Sequence, residues 1–370
     1  MSKTIDINSS TFGERNRALE EALSGTVREG FEEFHRRAVF SKDRSSRLFA
    51  KRDPLAMTST GFPGVDHILG GGVSEGMSIG VGGTYASGKS VFLLQMATNL
   101  AENGAAVMYV SPELTDEEVA ARATARELDM MFSDGTEGRP PYLPGFGEIR
   151  RMRDRHGRPF DARMIEMIQR GHDRWLSKVG DRLVTLRYRE GDTVENLEQA
   201  IVALRDEGHG GAQKILIVDP IQRLTPMRQE HMSSIQYESI MRSESERISL
   251  TCSQIKDIAD RKSDSVTLMF GSDANADVSN PAESASAGFR GGAKVGNAAT
   301  TLFFIDKPRV KEELPEFEAR VLAQQNWLLD SSPIEGVASK EELSRRMETA
   351  AAFTTFKNRE GMGGQIGLRL

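Results

Sequence analysis

Residues 83–90 read GTYASGKS, which satisfies the pattern G-x-x-x-x-G-K-[ST] at Gly83, Gly88, Lys89 and Ser90. Each fixed residue type has a physical reason. Gly83 and Gly88 permit backbone conformations that a Cβ forbids, so successive N–H groups can turn inward around a phosphate. Lys89 places a charge where β- and γ-phosphates would lie, and Ser90 offers a hydroxyl to Mg²⁺. The flanks suit this reading. Met77-Ser78-Ile79-Gly80-Val81 reads as a buried strand, and Val91 through Ala97 as a helix whose N-terminus adds partial positive charge. The span from Gly83 through Thr84, Tyr85, Ala86, Ser87, Gly88, Lys89 and Ser90 to Val91 is the expected nucleotide cradle.

The acid that a phosphate loop needs for Mg²⁺ should end a buried strand of the same sheet. Lys214-Ile215-Leu216-Ile217-Val218 is such a run, and Asp219 ends it. Ser90 and Asp219 are therefore the expected metal-positioning pair. A second strand, Ala105 to Val110, leads into Ser111-Pro112-Glu113-Leu114. Read as the neighbour of the phosphate-loop strand, it brings Glu113 within reach of a γ-phosphate as a base for water. Thr115 then caps a helix with Glu118 as its capping-box partner. Gln254 is read as the end of a further strand, 247–254, where a neutral amide would sense the γ-phosphate.

Elsewhere the sequence gives organisation. Ala18 to Val39 carries Leu19, Leu23, Val27, Phe31 and Phe34 at helical spacing, followed by a basic segment from Arg36 to Arg52. Residues 1–55 are thus a helical arm, and 56–370 one α/β domain with a mostly parallel central sheet. Residues 133–160, rich in Gly, Pro and Arg, read as a surface insertion, and 307–350 as a second one. Residues 193–206 read as a helix, 256–296 as a long polar loop pair, 319–329 as a strand and 339–350 as a charged helix. Residues 353–357 and 365–370 form two terminal strands joined by Asn358-Arg359-Glu360-Gly361-Met362-Gly363-Gly364.

Composition limits the partners. The net charge of −6 denies the chain a general positive field for nucleic acid, so any such contact must come from local loops or from an assembly that collects them. A single cysteine, Cys252, excludes an internal disulfide and a cysteine-built zinc site. No apolar run approaches membrane-spanning length, and MSKTIDINSS lacks a signal-peptide core, so a cytoplasmic protein without a membrane partner is expected.

From about Thr58 onward the chain resembles the RecA-like P-loop ATPases, and most closely the DnaB-type replicative helicases. The stretches that carry the resemblance are TGFPGVDHILGGG, GTYASGKS, VSPEL at 110–114, ILIVDPIQRL at 215–224, SQIKD at 253–257 and FKNREGMGG at 356–364. The resemblance implies a RecA-like core that uses ATP and Mg²⁺. It implies Glu113 as catalytic base, Asp219 as Walker B acid, Gln254 as sensor, and Gln222 as the family's glutamine after that acid. Lys357 and Arg359 become fingers that enter the ATP site of an adjacent subunit, where two cations would stabilise charge on the transferring phosphoryl group. A homo-oligomer follows, hexameric by resemblance, encircling single-stranded DNA and meeting other replication proteins. Arg290, Gly291, Gly292 and Lys294 are the residues suited to a DNA backbone phosphate. In place of the family's globular N-terminal domain, the helical segment before Asp53 is expected to serve as the subunit-docking linker. Two other readings stand beside the motor: a RecA/RadA-type recombination or repair ATPase, and an ATP-dependent assembly whose substrate is a protein.

Overall fold

A computed structural model describes residues 57–84, 87–133, 140, 142–189, 192–197, 199, 212–261, 266–274, 295, 298–306, 350–358 and 365–369. The expected helical arm, Tyr85 and Ala86, most of the helix read at 193–206, the 319–329 strand, nearly all of the 339–350 helix, the loop at 290–294 and Arg359 lie outside them.

Strands β1 (Met57–Thr58) and β2 (Val73–Ser74) pair as a small antiparallel ribbon around helix α1 (Pro63–Ile68), which starts on a proline. Asp66 ties this entry together by accepting from the Thr60 amide at 2.8 Å and the Ser59 hydroxyl at 2.6 Å.

Among the described residues the central sheet has eight strands: β3 (Ser78–Gly83), β4 (Ala106–Ser111), β5 (Leu183–Arg187), β6 (Lys214–Val218), β7 (Thr267–Asp273), β8 (Thr301–Asp306), β9 (Ala350–Asn358) and β10 (Gln365–Arg369). Their order is β10-β9-β8-β3-β7-β6-β4-β5. The strands from β8 to β5 run parallel, and β9 and β10 close one side antiparallel. Successive side chains alternate across a pleated strand. Accordingly Ile79, Val81, Val107, Tyr109, Ile215 and Ile217 enter one core with Phe92, Leu93 and Met96 of helix α2 (Lys89–Glu102). Met108, Val110, Leu216, Val218 and Phe270 enter the opposite core. Both faces are covered, which is why these strands read as unbroken apolar runs. Each fully buried large side chain contributes roughly 1.5–3 kcal/mol.

Three expectations are corrected here. Residues 247–254 do not form a strand: they lie within helix α7 (Glu244–Arg261), which follows α6 (Ser234–Arg242). Ile248, Cys252 and Ile255 stand four and three residues apart and seat that helix on the second core. The polar segment 256–296 contains β7, whose Thr267-Leu268-Met269-Phe270 is buried between β3 and β6. Strand β4 is not the neighbour of β3, because β7 and β6 lie between them.

Beyond β4, helix α3 (Asp116–Ser133) packs with α4 (Phe146–Arg151) and α5 (Ala162–Val179). The stretch read as an insertion therefore holds α4, whose Ile149 is buried with Leu128, Phe132 and Ile168. A Cβ on Gly171 of α5 would stand 2.9 Å from Leu128, so glycine permits the close crossing of α5 on α3. Glu127, fully buried on α3, accepts from Arg126 at 2.7 Å and from Lys178 at 2.7 Å.

Candidate nucleotide site

The phosphate loop leaves the C-terminal end of β3 and re-enters the fold as α2. Gly88, the residue before the helix, has φ of 97°, a left-handed conformation that disfavours any side chain. A Cβ on Gly83 would collide with Ser87 Oγ and stand 3.0 Å from the Ile305 carbonyl oxygen. Ser87 is 2% exposed, and its Oγ has no hydrogen-bond partner among the described residues. An orphaned buried hydroxyl in a loop kept open by glycines suits a phosphate oxygen as acceptor.

Lys89 is buried at 8% exposure. Its ammonium donates to the carbonyl oxygens of Gly83 at 2.9 Å and Thr84 at 3.0 Å, and pairs with Asp273 at 3.1 Å. Ser90 meets the acid expected for it. Asp219, placed just beyond β6, accepts from the Tyr109 hydroxyl at 2.9 Å, and the nearby Ser90 hydroxyl favours its charged form. Burial raises the Asp219 carboxyl above the usual carboxylate range, the two hydroxyls and the Lys89 charge oppose the rise, and the charge of Glu113 adds to it. Burial likewise holds Tyr109 well above an ordinary phenol, so it stays a donor to Asp219. Gly271 of β7 was not flagged by the sequence. A Cβ there would stand 2.5 Å from Asp219 Oδ1, so a bare backbone is what gives that carboxylate its place.

Glu113 lies two residues beyond β4, half exposed, with Arg223 donating to it at 3.1 Å. An exposed pair of this kind is worth little and opens readily. Although β4 is not beside β3, Glu113 shares an electrostatic neighbourhood with Asp219. Gln222 is buried, and its amide donates to Ser272 Oγ at 2.6 Å, linking the Asp219 loop to the end of β7.

Gln254 does not join this group. It is 2% exposed on α7, accepts from the Met227 amide at 2.7 Å and donates to the Met227 carbonyl oxygen at 2.7 Å. Both ends of its amide clamp the chain after Leu224, and no strand end carries it to the phosphate edge. The strand end next to the loop is that of β7, where Asp273 pairs with Gly83 in register. Sequence reasoning missed Asp273 because the strand that delivers it was read as loop.

Lys357 is on β9 opposite Leu302, which in turn stands opposite Gly80. The loop's first residue, Gly83, is level with Ile305 and Phe353. Measured along β8, the level of Lys357 is three residues, about 10 Å of strand, from that of its own phosphate loop, and β9 runs from there toward the other edge of the sheet. Among the described residues no cluster of three or more His, Cys, Asp or Glu could hold a metal ion by itself, and no helix is long and apolar enough to cross a membrane.

A parallel sheet of this order, with the loop at the C-terminal end of one strand and an acid at the C-terminal end of another, is a RecA-like P-loop fold. A family model described as ATPase: KaiC matches residues 58–136. Over most of the chain the fold is similar to a DnaB-like replicative helicase whose structure was described with its interactions with primase. That likeness has a TM-score of 0.58 at 13% identity and covers 97% of this chain and 72% of the helicase. The solved ATPase domain of a second protein is similar with a TM-score of 0.58 at 14% identity, over 90% of this chain and 96% of that domain. In sequence, the DNA repair protein RadA of Synechocystis sp. is 32% identical over 119 residues, 29% of this chain and 23% of that protein. The DNA repair and recombination protein RadB of Pyrococcus furiosus is 37% identical over 76 residues, 20% of this chain and 32% of that protein. The chain therefore aligns with less than a third of the length of either of these curated relatives.

Proposed function

We propose that the protein is an ATP-hydrolysing motor of the DnaB-like kind, a ring, hexameric, that translocates on single-stranded DNA with ATP held at the seams between subunits. The observation that carries this reading is the separation of Lys357 from its own phosphate loop within one sheet. A residue carried by β9 toward the edge opposite the phosphate loop would complete a site on another copy. The structural likeness to a helicase and to a second ATPase domain, across nearly the whole chain, supports the same reading.

In the proposed site the loop from Gly83 to Ser90 binds the phosphates through backbone N–H groups, Ser87 Oγ and Lys89. Ser90 and Asp219 would hold Mg²⁺, which supplies charge neutralisation at the phosphate oxygens when bound. Glu113 orients and deprotonates water once its exposed pairing with Arg223 opens. Lys357 and Arg359 of the adjacent copy stabilise charge spreading over the transferred group. Arg290, Gly291, Gly292 and Lys294 would grip DNA phosphates; several copies around a ring supply a field that one acidic chain does not. The 1–55 arm would serve subunit docking.

The test is unwinding of a forked duplex with single-stranded DNA-stimulated ATP turnover, each lost in Lys89→Ala. A second reading has its own support, since the sequence relatives are repair and recombination proteins. Strand exchange without unwinding would select that reading. ATP-dependent oligomers whose turnover ignores DNA would sink both.

A further inference from the structure

We propose that Asp273 belongs to the nucleotide site, where its carboxylate competes with the terminal phosphate for the Lys89 ammonium and sets the preference between nucleoside triphosphate and diphosphate. The inference rests on the reading of the phosphate loop as an ATP site.

An ammonium has three donors and no acceptor. On Lys89 all three are committed, to two loop carbonyls at 2.9 and 3.0 Å and to Asp273 at 3.1 Å. Every phosphate oxygen that takes a donor must therefore displace a present partner. The partners are unequal. A displaced carbonyl is a neutral dipole; that of Gly83 still accepts from the Ala274 amide, and Thr84 is exposed. A displaced Asp273 is an anion left beside the incoming anion.

The strand end offers little room to retreat. Asp273 is in register with Gly83, the Ala274 amide donates to the Gly83 carbonyl oxygen at 3.0 Å, and Ser272 is held by Gln222 at 2.6 Å. The Asp273 side chain is 37% exposed, so it can rotate toward water, but its backbone stays bonded to the loop. A diphosphate can take the two donors now spent on carbonyls and leave the ion pair intact. A triphosphate presents a further set of oxygens and claims the third donor too. The penalty thus falls on the triphosphate, and charge rather than bulk causes it.

Asparagine at position 273 keeps the size and removes the charge. Binding of a fluorescent non-hydrolysable ATP analogue and of fluorescent ADP, each with Mg²⁺, is to be measured on the wild-type chain and on Asp273→Asn and Asp273→Ser. Both variants should bind the ATP analogue about tenfold more tightly, with ADP affinity changed less than about threefold. A structural role would weaken both nucleotides and could not produce a selective gain. Equal shifts for the two nucleotides, or no gain for the triphosphate in a variant whose melting matches wild type, would overturn the proposal while leaving the ATP site standing. Failure of the wild-type chain to bind either nucleotide would overturn both.

Discussion

Asp219 is a carboxylate at 1% exposure, and three neighbours make that position tenable: the Ser90 hydroxyl, the Tyr109 hydroxyl and the charge of Lys89. Two of the three come from the phosphate loop and the start of its helix, so the acid and the loop are one electrostatic unit. Asp219→Asn keeps the shape and removes the charge that would hold Mg²⁺. ATP turnover should fall at least about a hundredfold, with the melting temperature unchanged or raised, because a desolvated carboxyl has been neutralised. A steady-state ATPase assay with a thermal melt reads both. Cys252 shows the opposite use of burial. At 2% exposure its thiol is pushed up to about 12, by desolvation. The folded state therefore keeps the proton that an unfolded thiol starts to lose near its ordinary value of 9.0. That contribution to stability is complete below pH 9, and it is lost as pH rises from there toward 12. At about pH 8 Ellman's reagent should label the folded chain at least about a hundredfold more slowly than the chain in denaturant. Equal rates would contradict the burial.

At the scale of elements, the capping box of α3 was legible and is present. The Glu118 amide donates to Thr115 Oγ1 at 3.2 Å, and the Thr115 amide donates back to the Glu118 carboxylate at 3.0 Å. That backbone bond, foremost, lowers the Glu118 carboxyl below its ordinary value. The stabilisation is thus present above the unfolded carboxyl's titration and is lost as pH falls through the lower folded value. Thr115→Ala should lower stability by about 1 kcal/mol, and Glu118→Ala by up to about 1 kcal/mol near pH 7 but less near pH 3, by urea denaturation at the two values. A Glu118→Ala loss of equal size at both would remove Glu118 from the account. Helix α7 was misread for a physical reason. Its ISLTCS run is rich in β-branched and small polar residues, which favour strands. Yet Ile248, Cys252 and Ile255 carry the helical period that decided its packing. Strand β7 was missed because a short apolar run stands in a polar segment, and only the two strands flanking it make it a strand.

The whole molecule explains what local reading could not reach. Loop, strand and acid were legible at Gly83–Ser90 and Asp219 because each is a short stretch with its chemistry in sequence. The order of strands was not, because crossovers join elements far apart in the chain. That order puts β7 beside the loop and β4 two strands further off, which moved the neighbouring strand end from Glu113 to Asp273. The two terminal strands were legible, and their register adds what the sequence lacked, the direction in which Lys357 departs. In the proposed ring, Arg359→Ala should keep ATP binding and lose turnover, as should Glu113→Gln. Mixing the two inactive proteins should restore activity at seams where an intact Arg359 faces an intact Glu113. Turnover that stays absent at every mixing ratio, in mixtures shown by native mass spectrometry to have exchanged subunits, would contradict fingers acting between copies.

The hydrogen atom at position 271 has a genetic implication. Nothing about it invites attention: it bears no charge, no donor and no polarity, and a survey of functional groups would pass it over. Yet the smallest possible addition there would push into the oxygen of Asp219. In a saturation library scored for ATP turnover, even alanine at site 271 should shift the Asp219 carboxylate from its hydroxyl partner and slow the reaction, larger residues more so, with the acid itself left in place.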